Sequence, residues 1–402
     1  MRVLSMWWVI QGHTFGFSVS FLDNLVIISE LMKRFTFQAL SNATFSVDSF
    51  FFLSGLLVAY LTLNALRENN GKLNWLKFIL HRFWRLTPAL AFCIMVYSTL
   101  FLHVVHGPMV KTMLKGDMFE ACKTTWWPNL IYINNFYPSY GDVGKQCMGW
   151  TWYLANDMQF YLISPILLYP LYRWRRVGIA MVMFLILTCL IVGSVIARVY
   201  QMCAAGCPIT HHTEDLYAHH DTMYNKPFTR IAPYLVGMLT GYILSVTKCR
   251  LRINKFLVAL GWLIAAAINI SVLYGLYGLQ HGQVFSPDIN ALYMGTSRFA
   301  WSLGLAWVAL ACATGKGGPV NDILSWRVWA PLGRLTYCAY LFHPLVLFCY
   351  YGNKRKTVHY TDIELSTVFV GNLTLSYAVA FLVSMIVEAL MLSLEKLVFK
   401  KK

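Results

Sequence analysis

The chain has 402 residues, of which 58% are hydrophobic and only 12% charged. A soluble domain carries about 25% charged residues, so the deficit excludes a soluble globular protein and points to an integral membrane protein. A net charge of +16 would suggest a nucleic-acid partner in a soluble chain, but here the basic residues cluster in short loops between apolar runs, and no nucleic-acid partner is expected.

Several apolar runs approach the ~20 residues that a helix needs to cross a bilayer. The expected fold class is all-α, a polytopic integral membrane protein with about ten transmembrane helices. In chain order the runs are 2–20, 44–66, 79–105, 150–169, 178–199, 228–246, 256–279, 289–313, 330–350 and 366–394. Short alternating strands, the mark of a membrane barrel, are not seen. The chain reads as a single membrane domain, 1–402, with long outer loops at 106–149 and 200–227. It opens directly on its first span, with no cleavable leader, which suggests a truncated or short form.

The first run sets Arg2 and His13 at opposite ends of one helix. Eleven steps of 100° bring both side chains to one face, about 16 Å apart along the axis. That places a cation near one membrane surface and an imidazole inside, and an intramembrane ionisable group is by default a functional candidate. The plain alternative is a satisfied interior histidine and a snorkelling arginine.

Later spans add to this. Asp48 lies early in the second span, and Asp157, Arg298 and His343 lie in the fourth, eighth and ninth. With His13 they share one expected layer in the outer half of the membrane, either as one polar cavity or as unrelated packing pairs. Arg82 and Arg85 are three residues apart at the start of the third span, so they share a helix face. They lie at the level of Arg2. Three arginines at one mouth can hold phosphate through bidentate guanidinium contacts, or simply form a positive-inside belt.

Basic loops orient the chain. Arg67, Lys72 and Lys77, then Arg173, Arg175 and Arg176, then Lys248, Arg250, Arg252 and Lys255 follow even-numbered spans, so these loops and both termini are expected in the cytosol. Lys354, Arg355 and Lys356 dissent from the other side. Cys122, Cys147, Cys203 and Cys207 then fall in outer loops, where an even number suits disulfides. Cys122–Cys147 with Cys203–Cys207 is the simplest of three possible connectivities. The tract from His211 to Asp221 is rich in histidine and acid but fits no standard zinc spacing, and no metal is expected. Trp126, Trp127, Trp150 and Trp152 near span ends read as an interfacial belt.

Arg2, ten residues, then His13 resembles the Arg/Lys-x10-His pattern of the membrane acyltransferase-three family. Ser46 to Gly55 resembles its second-span motif, Arg82-Phe83-Trp84-Arg85 its Arg-x-x-Arg motif, and Leu332 to Pro344 its late histidine-proline helix. Cys147 to Tyr161 and Lys226 to Gly237 resemble the animal nose-resistant-to-fluoxetine branch. Bacterial members often have a glutamate pair where this chain has Asp157 and Met158.

The resemblance covers essentially the whole chain and implies a membrane O-acyltransferase. It would transfer an acyl group from cytosolic acyl-CoA to a hydroxyl acceptor on the lumenal or extracellular side. No bound cofactor is expected; the partners are acyl-CoA, that acceptor and membrane lipid. Arg2, Arg82 and Arg85 would hold the donor phosphates. His13 would act as general base or carry the acyl group, with Asp48 orienting its imidazole. Trp152, Asp157, Arg298, Tyr337 and His343 would support the site. The setting would be the plasma membrane or the endoplasmic reticulum. The alternative is a transporter or lipid/drug-permeation protein that keeps the fold without the chemistry, or a scaffold.

Overall fold

A computed structural model of the chain describes residues 1–108, 118–139, 146–204 and 220–398. The helices that frame the fold are α1 (Arg2–Ser18), α2 (Phe45–Glu68), α3 (Trp75–Met95), α4 (Trp152–Arg173), α5 (Arg175–Val199), α6 (Pro227–Thr247), α7 (Lys255–Tyr274), α8 (Pro287–Ala313), α9 (Gly318–Leu324), α10 (Trp329–Gly352), α11 (Asp362–Val383) and α12 (Ala389–Val398). No strand occurs among the described residues, so the all-α expectation holds.

Each of the ten expected runs is helical, yet among the described residues six helical segments are long and apolar enough to cross a membrane. The bent pair α8 and α9 would make a seventh, with an 89° break between them. Gly315 and Gly318 make that turn at φ +72° and +49°, a left-handed region that costs glycine nothing. Three expected spans fall short for physical reasons. At 17 residues, α1 rises only about 25 Å. Helix α4 carries Asn156, Asp157 and Gln159 with two internal prolines. Helix α6 is buried along most of its length, so protein neighbours rather than lipid face its Thr229, Arg230, Thr240 and Ser245.

Several helix starts are written in the sequence. The Asn254 side chain accepts from the Phe256 N–H, and Ser286 accepts from Ile289 with Pro287 as the first helical residue. Thr361 accepts from Glu364 while Asp362 and Glu364 occupy the first turn. Each such cap satisfies an orphan donor, and the acidic first turn complements the helix dipole.

The backbone divides into two compact units. Unit 1 comprises Met1–Leu31, Leu76–Ala155 and Arg327–Lys402; unit 2 comprises Met32–Trp75 and Asn156–Trp326. In unit 1, α1 packs on α10 and α11. In unit 2, α2 lies along α6, and the contact is made by small residues. A Cβ on Gly55 would sit 2.0 Å from the Tyr234 carbonyl oxygen, one on Gly237 2.0 Å from that of Phe52, and one on Gly241 2.3 Å from that of Leu56. Only glycine permits this backbone approach, the usual device for packing helices inside a membrane.

Candidate active site

Unit 1 brings His13 and His343 together across 330 residues of sequence. His13 Nδ1 lies 2.7 Å from His343 Nε2. The ring planes are 7° apart and the centroids 5.0 Å apart, the spacing of two imidazoles joined edge to edge. The contact is therefore an in-plane hydrogen bond rather than a face-to-face stack. His343 is fully buried, whereas His13 is half-buried.

Pro344 explains how His343 is held. A helix residue normally donates its N–H to the carbonyl four residues back, and proline has no N–H. The Tyr340 carbonyl is thus released from the helix ladder, and His343 Nδ1 takes it at 2.8 Å, with the Ala339 carbonyl at 3.1 Å. Carbonyls only accept, so Nδ1 of His343 carries the proton. In the neutral ring Nε2 is then a bare acceptor, which requires His13 to donate from Nδ1. His13 Nε2 is left unprotonated, as a base must be.

Aromatic rings wall the pair. Phe17 stacks on His13 at 5.2 Å, and Phe348 on Phe17 at 5.0 Å. Tyr340 donates its hydroxyl to the Trp150 carbonyl at 2.5 Å. Trp150 in turn lies 5.9 Å from Phe348 and 5.4 Å from Tyr97. The Trp150 segment is anchored nearby by the Cys122–Cys147 disulfide, with Asn129 donating to the Cys147 carbonyl at 3.1 Å and Thr151 to Asn129 at 2.6 Å. Trp152 is buried at the start of α4.

Helices α1, α3 and α10 run parallel in this unit. Trp7 meets Trp329 and Tyr351 donates to the Thr14 carbonyl, while Tyr337 donates to the Leu86 carbonyl at 2.6 Å and Cys93 to that of Leu341 at 3.4 Å. Arg2, Arg82 and Arg85 therefore sit at one end of unit 1. From Tyr337, beside Leu86, to His343 the helix rises about 9 Å. Arg2 and Arg85 are exposed and Arg82 is half-buried.

Asp48 was expected to orient the His13 imidazole, and here the structure differs. The His13 Nδ1 bond goes to His343, and both Asp48 oxygens, buried in unit 2, accept from Arg230 Nη1 at 3.0 and 3.1 Å. A carboxylate taken out of water needs a counter-charge, and Arg230 supplies it. Arg230 also donates from Nε to the Tyr224 carbonyl at 2.7 Å and lies over the Tyr224 ring. Arg298 reaches the Met223 and Thr229 carbonyls of the same turn, each at 3.4 Å. Asp157 is buried in α4 of unit 2. Arg230 is a functional candidate that depth and motif spacing do not single out, although a charge early in an apolar run is the signal that would find it. Cys207 and residues 211–219 lie outside the described residues, and with them the Cys203–Cys207 pairing and all but the last two residues of the histidine tract.

The sequence matches the family model described as Acyltransferase domain over residues 1–392. It is 32% identical to Nose resistant to fluoxetine protein 6 of Caenorhabditis elegans, over 100% of this chain and 51% of that protein. It is 26% identical to Regulator of hypoxia-inducible factor 1 of the same organism, over 96% and 78%. To O-acetyltransferase OatA of Staphylococcus aureus it is 23% identical, over 86% and 53%. The chain thus spans about half the length of the first and third of these relatives. No solved structure matches. Motifs, helical architecture and a match over nearly every residue agree, and the chain belongs to the membrane acyltransferase-three family.

Proposed function

We propose that this chain is a membrane O-acyltransferase that moves an acyl group from acyl-CoA to a hydroxyl acceptor on the lumenal or extracellular side. The observation that carries this reading is the His13–His343 pair, whose hydrogen bonds leave His13 Nε2 as the free base. His13 Nε2 removes the proton of the acceptor hydroxyl as its oxygen attacks the thioester carbonyl. The carbon–sulfur bond breaks, and the CoA thiolate leaves with the proton returned by His13. The products are the acyl ester and free CoA thiol. Throughout, His13 Nδ1 keeps its hydrogen bond to His343, which becomes charge-assisted when the imidazolium forms and so stabilises the charged state most.

Arg2, Arg82 and Arg85 hold the donor's phosphates at the other end of unit 1, and the pantetheine arm spans the distance to His13. Orientation by His343 replaces orientation by Asp48, which instead anchors unit 2 through Arg230. Trp152 and Tyr337 support the site by packing. The reading includes ten crossings, both termini in the cytosol, and residence in the plasma membrane or endoplasmic reticulum.

Comparing cells that express wild type and His13→Ala at matched levels, by lipid and glycan analysis, tests the proposal. Loss of an acylated product with His13→Ala supports it. Altered uptake of small molecules with no acylated product in either case would favour the transporter or permeation reading.

A further inference from the structure

Unit 1 holds a tyrosine in a backbone position that glycine usually takes. The short helix Trp127–Leu130 ends in two reversed bonds. The Ile133 N–H donates to the Pro128 carbonyl at 2.9 Å, and the Tyr132 N–H to the Asn129 carbonyl at 3.2 Å. This ending sets residue 132 in the left-handed region, at φ +60°, where a Cβ is crowded and glycine is the common occupant. The turn is pinned, because the Asn129 side chain donates to the Cys147 carbonyl. A bulky residue held in such a conformation points to a side chain that is put to use.

The Tyr132 side chain reaches α3. Its hydroxyl lies 2.8 Å from Thr87 Oγ1, and its ring meets that of Phe83 edge-on at 5.8 Å. Phe83 sits between Arg82 and Arg85 and is exposed. Tyr132 thus comes from the 106–149 loop, expected on the outer side, yet meets α3 at the turn that carries the two arginines. Thr87 lies two residues, about 3 Å, beyond Arg85. Its neighbour Leu86 accepts the Tyr337 hydroxyl. Tyr337, Tyr340 and His343 then follow one another along α10 at three-residue steps, adjacent on the helix surface. Tyr132 is buried, but Thr87, Tyr337, Tyr340 and His13 are each half-buried, and Arg85 is exposed. Partly accessible polar groups therefore run from the arginines to His13, with Thr87 at the arginine end.

Building on the acyl-transfer reading, we propose that Thr87 and Tyr132 are positioning residues that bind the pantoyl end of the donor's pantetheine arm. With the phosphates on Arg82 and Arg85, the arm's next groups are a carbon bearing two methyls, a hydroxyl and an amide. The chain offers the matching series in the same order. Phe83 presents an apolar ring between the arginines, and the Thr87–Tyr132 hydroxyl pair follows one turn on, on the same helix face. A hydroxyl both donates and accepts. Thr87 Oγ1 gives its proton to Tyr132 and accepts from the arm's amide N–H, or takes the Tyr132 proton and donates to the amide carbonyl. The arm is thereby fixed at its phosphate end, and the thioester is aimed along α10 toward His13.

The test measures binding to the full chain in detergent by titration calorimetry, so it needs no acceptor. Three probes are used: CoA, 4′-phosphopantetheine, which keeps the arm, and adenosine 3′,5′-bisphosphate, which lacks it. Tyr132→Phe keeps the buried ring and loses only the hydroxyl, and Thr87→Val is nearly isosteric, so either variant remains informative if the other misfolds. Each should weaken CoA and 4′-phosphopantetheine by about three- to tenfold and leave the bisphosphate unchanged. The double variant should lose less than the product of the two, because the hydroxyls act as a pair. Wild-type CoA affinity in both single variants would overturn the proposal alone. An equal loss for the bisphosphate would overturn it too, by showing that the pair only supports the fold. A wild type that binds none of the three probes would overturn the acyl-CoA reading and this assignment with it.

Discussion

Replacing His343 tests the imidazole pair at its most specific point. In the resting site, His13 Nδ1–H donates to a neutral nitrogen, a bond worth about 1 kcal/mol net. When His13 takes the acceptor's proton the same bond becomes charge-assisted, worth about 1.5–3 kcal/mol. His343→Leu removes the acceptor at similar volume, so the barrier rises by the difference, about 0.5–2 kcal/mol, and turnover falls roughly two- to thirtyfold at about 1.4 kcal/mol per tenfold. Loss of the tautomer preference would add to this. Geometry also predicts which polar substitute rescues. A glutamine oxygen falls near the position of Nε2, the atom facing His13, whereas an asparagine mimics Nδ1, the atom facing the Tyr340 carbonyl. His343→Gln should recover most of the turnover and His343→Asn little. The assay is CoA thiol release together with labelled acyl product from purified protein, normalised to folded yield. Wild-type turnover in His343→Leu, or rescue by asparagine and not glutamine, would refute the reasoning.

Three further changes separate anchoring from chemistry. Pro344→Ala restores an N–H that competes for the Tyr340 carbonyl. It should raise the thermal midpoint, since proline costs about 3 kcal/mol inside a helix, while lowering turnover several-fold; a rise in both would remove Pro344 from the account. Asp48→Asn leaves Arg230 buried without its carboxylate, a loss of about 3–5 kcal/mol. The thermal midpoint should fall sharply and recover in Asp48→Leu/Arg230→Met, whereas an unchanged midpoint with lost turnover would return Asp48 to the catalytic site. Arg85→Ala should raise the KM for acyl-CoA about tenfold or more without loss of folded yield, with Arg85→Lys rescuing in part because lysine lacks the planar fork; an unchanged KM would leave these arginines as a positive-inside belt.

Local features of this chain were readable from its sequence. The eleven-residue interval from Arg2 to His13 needed only an unbroken helix, and α1 is one. Cys122–Cys147 is bonded as the simplest pairing has it. The partnership of His13 with His343 was out of reach, because shared depth says nothing about helix rotation. Asp48 illustrates the same limit: its depth suited His13, but rotation turns it to Arg230. Length and hydropathy alone pick out fewer spans where burial replaces hydropathy, as in α6, whose polar residues face protein. Pro344 stood in a recognised motif, yet its effect on the Tyr340 carbonyl emerges only when the ring of His343 is seen to occupy it.

If His13 Nε2 is the base of an acyl transfer, its loss must abolish ester formation from acyl-CoA. Purified wild type and His13→Ala, reconstituted in vesicles of equal protein content, would be given acyl-CoA labelled in the acyl group together with a mixed pool of hydroxyl acceptors. CoA release and labelled ester would be followed over time. The wild type should release thiol and ester in equal amounts, and His13→Ala should yield neither above background. Equal ester formation by both proteins would contradict it.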